Sequence, residues 1–145
     1  MTVRVVLVSC VKSKRAAAST AQDLYTSDLF TSMRNYAQIN ADKWFILSAE
    51  HGVLKPDEIV CPYERTLNRL PRRERLEWAE NVQRRLLELL PPGALITILA
   101  GERYRENLVP FLRQHGFPVS IPMAGLKFGF QLRWLKERNR SEAIV

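Results

Sequence analysis

The sequence predicts a single-domain three-layer α/β/α sandwich on a mainly parallel, four-stranded sheet spanning residues 1–145. Three observations carry that expectation. Short aliphatic runs of strand length recur four times, and a segment of helical spacing follows each of them. The first three runs are apolar at consecutive positions, as strands buried on both faces of a parallel sheet must be. The chain of 145 residues fits one such unit with no spare domain, and it is long enough to bury a core without staples.

In chain order, Arg4 to Ser9 is a β-branched run bounded by polar residues and reads as the first strand. A basic connection, Cys10-Val11-Lys12-Ser13-Lys14-Arg15, follows it, and 16–26 shows no strong periodicity. Ser27-Asp28 marks a helix start, and Leu29, Met33, Tyr36 and Ala37 recur at helical spacing to about Ala41. Trp44 to Ala49 is the second strand. It runs into a charged loop, Glu50-His51-Gly52 onward, stiffened by Pro56 and Pro62 and ending near Leu70. Pro71 opens the longest helix, where its missing N–H costs little. Leu76, Ala79, Val82, Leu86 and Leu89 are its expected buried stripe, with Arg72, Arg75, Glu80, Arg84 and Glu88 outward. Pro91-Pro92-Gly93 stops that helix, and Ala94 to Ala100 is the third strand. Tyr104, Leu108, Phe111 and Leu112 fit a helix with Pro110 as a kink or an early-turn residue. Phe117 to Pro122, interrupted by Pro118 and Pro122, reads as a weaker edge strand. A last helix holds Phe128, Leu132 and Leu135, with a frayed tail from Asn139.

Composition narrows the function. Hydrophobic content of 46% excludes a disordered chain, and no apolar run reaches the length of a membrane span or a secretory leader, so a cytoplasmic protein without a membrane partner is expected. Cys10 and Cys61 share no Cys-x-x-Cys pattern, and with two histidines they offer poor zinc spacing; neither a metal nor a cofactor is expected. Lys plus Arg is 22 against 15 acidic residues, a net charge of +7 with a pI near 9.8. A balance this basic favours a polyanionic partner, nucleic acid first, over a merely well-solvated surface.

Parallel α/β sheets bind ligands at the C-terminal ends of their strands. There the loops after Ser9, Ala49 and Ala100, together with Met123 to Lys127, should meet. They bring the carboxylates Glu50, Asp57, Glu58 and Glu102, the imidazole of His51, the aromatics Tyr25, Tyr63 and Tyr104, and the cations Lys12, Lys14 and Lys127. An acid beside a basic phosphate-holding loop suits chemistry that develops positive charge on a sugar, while aromatics stack on a base. Asp57, Glu50 and His51 are the expected catalytic residues, with His51 donating to a leaving base. Ser9, Cys10, Lys12, Lys14, Tyr25, Tyr63, Asn68, Glu102, Tyr104 and Lys127 are the expected substrate-binding set. Asp57 is expected to be held by its segment, fixed by Pro56. No Ser–His–Asp order, His-Glu-x-x-His, Gly-x-Gly-x-x-Gly or P-loop is present, which argues against hydrolase triads, zincins and dinucleotide enzymes.

Several stretches together carry a resemblance: Val8 to Lys14, Asp23 to Phe30, Phe45 to Leu54, Pro62-Tyr63-Glu64-Arg65-Thr66-Leu67, and Gly125 to Leu135. Over nearly the whole chain they resemble a family of small bacterial and phage domains. Those domains are distantly similar to the uracil-DNA-glycosylase-like domain of archaeosine synthase and transglycosylase-related proteins. The resemblance implies a compact three-layer, uracil-DNA-glycosylase-like fold and work on a nucleobase or its glycosidic bond. The expected function is therefore a hydrolase of the DNA glycosylase type, acting on a modified base such as a 5-substituted pyrimidine, as in DNA repair. The alternatives are a nucleic-acid or nucleotide-binding module without catalysis and a base-exchange or base-modification enzyme acting on RNA.

Overall fold

Val5, Val6, Leu7 and Val8 are each at most 2% exposed, and neighbours on a strand point to opposite faces, so the sheet is covered on both sides. A computed structural model describes residues 2–9 and 14–143, without the side chains of 141–143. Its elements run β1 (Arg4–Ser9), β2 (Ser19–Thr20), α1 (Ala21–Leu24), α2 (Asp28–Asn40), β3 (Lys43–Ser48), β4 (Gly52–Leu54) and β5 (Ile59–Val60). A 3₁₀ turn (Leu67–Arg69) then leads to α3 (Arg72–Leu89), β6 (Leu95–Leu99), α4 (Glu102–Arg105), α5 (Val109–Gln114), β7 (Val119–Ser120) and α6 (Phe128–Ala143).

The main sheet has five strands in the order β4-β3-β1-β6-β7, and all its pairings are parallel except β3–β4. The chain crosses from β1 to β3 in one direction and from β3 back over β1 to β6 in the other. Right-handed crossovers then put α2 and α3 on opposite faces. The second helix starts where Ser27 Oγ accepts from the Phe30 N–H at 3.1 Å, and α6 lies along it, joined by Asn139 Nδ2 donating to the Ser32 carbonyl at 3.1 Å.

The mixed α/β single domain stands as expected, with corrections to individual elements. The sheet gains a fifth strand, because Gly52-Val53-Leu54 turns back on β3 instead of opening the charged loop. Gly52 takes φ +73° at that return, and Val53 and Leu54 are buried. In α3 the buried set is Trp78, Ala79, Val82 and Leu86; Leu76 is 38% exposed and Arg75 faces inward, holding Glu106 at 2.9 Å. The helix expected after β6 is two short ones, with Pro110 in the first turn of the second. The edge strand at Val119–Ser120 matches expectation, whereas Asn139 is docked rather than frayed and Phe128 is 61% exposed.

The segment 16–26, without periodicity in sequence, is tied down by its backbone. Ala21 N–H donates to the Glu58 carbonyl at 2.7 Å and Gln22 N–H to the Pro56 carbonyl at 2.9 Å, while β2 pairs antiparallel with β5. Among the described residues no helix is long and apolar enough to cross a membrane.

Candidate functional site

Strands β1, β3 and β6 deliver Ser9, Ser48 and Leu99 to one edge of the sheet, and two hollows open there. Between the ends of β1 and β6 lies a cleft of about 330 Å³. Leu29 and Met33 of α2, Ile98 and Leu99 of β6, and Met123 and Leu126 from the loop after β7 supply its apolar wall. Its polar groups are Ser9, Asn68, Glu102, Tyr104, Arg105 and Gln131. The cleft's wall is thus mixed, its polar groups sharing it about equally with apolar ones, and convergent polar groups of this kind are what orient a ligand in a small-molecule site.

The polar groups are held from behind. Glu102 opens α4, a single turn, and its backbone carbonyl accepts from the Glu106 N–H at 2.8 Å. Glu106 is gripped in turn by Arg75 of α3 at 2.9 Å and by Arg103 at 3.4 Å. Arg75 also donates to the Leu70 carbonyl at 2.7 Å, which fixes the 3₁₀ turn carrying Asn68 against α4. Tyr104 is buried edge-on against Trp78, with ring centroids 5.7 Å apart. Arg105 donates to the Ala100 carbonyl at 2.9 Å, and Gln131 Nε2 to the Leu126 carbonyl at 2.8 Å, so the Gln131 side chain fixes the loop it faces.

On the other side of β1 a chain of hydroxyls crosses from loop to loop. Ser48, fully buried at the end of β3, donates to the Tyr63 hydroxyl at 2.7 Å and accepts from the His51 N–H at 3.1 Å. Tyr63 and Tyr25 share a hydroxyl contact of 2.6 Å. The Trp78 indole N–H caps the Ser48 carbonyl at 2.8 Å. Lys14 Nζ lies 4.6 Å from the Tyr63 ring centroid, and the His51 ring meets Tyr63 edge-on at 5.2 Å. A second hollow of about 390 Å³ opens here, walled by Lys14, Arg15, Ala16, Pro62, Tyr63 and Glu64.

The expected residues therefore divide into groups. Ser9, Asn68, Glu102 and Tyr104 come together in the cleft. Lys14, Tyr25, Tyr63 and His51 come together around the hydroxyl chain. Cys10 and Lys12 lie outside the described residues. Glu50, Asp57 and Lys127 are exposed and line neither hollow. The expectation that Asp57 is held is corrected: it sits at the tip of the turn 55–58, and the acid held there is Glu58, which accepts from the Lys55 N–H at 3.0 Å. His51 enters by its backbone and ring edge, with the side chain exposed.

Sequence reasoning missed Ser48, Trp78, Arg105 and Gln131 as parts of this edge. Ser48 had a signal, a small polar residue ending an apolar strand, which marks where a buried hydroxyl meets the loops. Trp78 and Gln131 had none, since each lies inside a helix whose facing is set by tertiary packing. Among the described residues, no group of three or more His, Cys, Asp or Glu comes together that could hold a metal ion.

Residues 5–137 match the model of a family described as a family of unknown function (DUF6884). The chain is also similar to a protein of Bacillus subtilis (strain 168) named uncharacterized protein YfjM. The two are 28% identical over 141 residues, covering 91% of this chain and 92% of that protein.

Proposed function

We propose, from the premise that the chain belongs to this family of unknown function (DUF6884), that it binds a nucleobase in the cleft between β1 and β6 and hydrolyses its N-glycosidic bond, in DNA before RNA. The observation that carries the reading is Glu102, a carboxylate at the wall of a cleft of mixed polar and apolar lining on the ligand-binding edge of a parallel sheet. Leu29 and Leu126, the partly exposed apolar side chains of the wall, offer a base an apolar contact, and Asn68 and Gln131 offer amides to its polar edge. In the reaction a water oxygen bonds to the sugar C1′ while the C1′–N bond breaks and the base leaves with the bonding pair. Glu102 stabilises the oxocarbenium-like centre and takes the proton of the attacking water, while the departing base gains a proton at the nitrogen that held the sugar. Asp57 and Glu50 line neither hollow. A uracil-DNA-glycosylase-like fold belongs to the same proposal, and the sheet's four mutually parallel strands support it.

One observation favours the reading as a binding module without catalysis: Glu102 is exposed, whereas a catalytic acid works best out of bulk water. A single assay separates the two. Duplex and single-stranded DNA carrying 5-substituted pyrimidines are incubated with the protein and scored for abasic sites by alkaline cleavage. The expected result is abasic sites at one of these bases, reduced by about 10²- to 10⁴-fold in Glu102→Gln with binding nearly unchanged. Retention of the base in every substrate, despite tight binding, would leave the binding module. Release of free base from RNA only when a second base is supplied would indicate base exchange.

A further inference from the structure

We propose that the hollow beside Lys14 holds a phosphate group and forms, with the cleft across β1, a two-part site for one nucleotide strand. The inference deepens the reading above and rests on it for the identity of the strand. Lys14 is half-buried, and among the described residues no carboxylate lies within ion-pair distance of it. Its backbone bridges to Tyr25, and its ammonium lies 4.6 Å from the Tyr63 ring centroid and 5.8 Å from that of Tyr25. Cation–π contacts steer such a head group without neutralising it.

Arg15 adds a second cation to the wall. Its Nε donates to the Asp23 carbonyl at 2.8 Å, a neutral partner, while the Asp23 carboxylate is taken by Arg34 and Thr20, each at 2.9 Å. Against these two cations the wall sets one carboxylate, Glu64, so the hollow is net positive. The hydroxyl contacts from Ser48 and Tyr25 hold the Tyr63 ring in place before any ligand arrives. Position completes the argument. Tyr63 is bonded to the end of β3 and Ser9 lines the cleft on the β6 side, so the two hollows flank the end of β1. A strand crossing that end lays a base in the cleft and a phosphate against Lys14.

The test uses the full chain and an unmodified oligodeoxythymidylate, with affinity followed by fluorescence anisotropy across a salt series. Lys14→Gln is expected to flatten the log-affinity against log-salt slope by about 0.7, one single-strand phosphate contact, and to weaken binding roughly eightfold at about 50 mM salt. Lys14→Arg is expected to keep the slope. Competition by inorganic phosphate beyond chloride of equal ionic strength means that a lone phosphate suffices, and competition no better than chloride means that the phosphate must belong to a strand. An unchanged slope in Lys14→Gln would overturn the inference, as would equal loss in Lys14→Arg. Neither result touches the abasic-site assay, and a protein that forms no abasic sites still reports on Lys14, because the unmodified strand requires no turnover.

Discussion

Neighbouring residues of the same type take opposite parts at this edge, and no sequence pattern separates them. Asp57 and Glu58 are adjacent acids, yet only Glu58 folds back onto a backbone N–H, because the turn after Pro56 leaves Asp57 at its tip. Tyr25, Tyr63 and Lys14 were legible as a set, since aromatics and a lysine in loops after strands have few structural reasons to be there. What joins them was not, because Ser48 acts through two hydrogen bonds that depend on where residues 51 and 63 return in space. Ser48→Ala removes both bonds at a fully buried position, leaving the His51 N–H without its acceptor. It should lower stability by about 1–3 kcal/mol, read from denaturant unfolding, with the m-value unchanged. A variant as stable as the parent would mean that water replaces the hydroxyl at no cost. Asp57→Asn, by contrast, should leave both stability and DNA binding unaltered, because the exposed carboxylate lines neither hollow.

At the scale of elements, the long periodic pieces were legible and the short ones were not. The runs that became β1, β3, β6, α2 and α3 were each long enough for a period to declare itself. Strand β4 has three residues, and its only trace is the apolar pair Val53-Leu54 after a glycine, too brief to distinguish from a loop. Trp78 displaced Leu76 in the buried set of α3 because the helix turns its face toward β4 and the Tyr104 ring. The return into β4 makes a clean test of backbone strain. A Cβ at Gly52 would meet Val82 Cγ2 at 3.7 Å, an ordinary contact, so space is not the obstacle; φ +73° is. Gly52→Ala should cost about 1–2 kcal/mol, and Gly52→Asn less, since Asn tolerates the left-handed region. Equal losses for the two variants, measured by thermal unfolding, would place the cost elsewhere.

For the molecule as a whole, charge was legible from composition alone, and its use is testable without knowing the substrate. With +7 spread over 145 residues, affinity for plain duplex DNA should fall by about 3.5-fold per phosphate contact between about 50 and 200 mM salt. A flat response would remove nucleic acid as the partner. The strand order carries a consequence of a different kind. The central strand is the first to be synthesised, and Val6 finds its two neighbours only at Trp44 and Thr97. At about 5–20 residues per second, a ribosome needs on the order of 5–20 s to make the second of them. Throughout that interval Val5 to Val8, all buried in the finished sheet, have one flank with no partner yet in existence. The nascent chain thus presents a β-branched hydrophobic segment well before both of its flanks can be covered, an exposure of the kind chaperones answer.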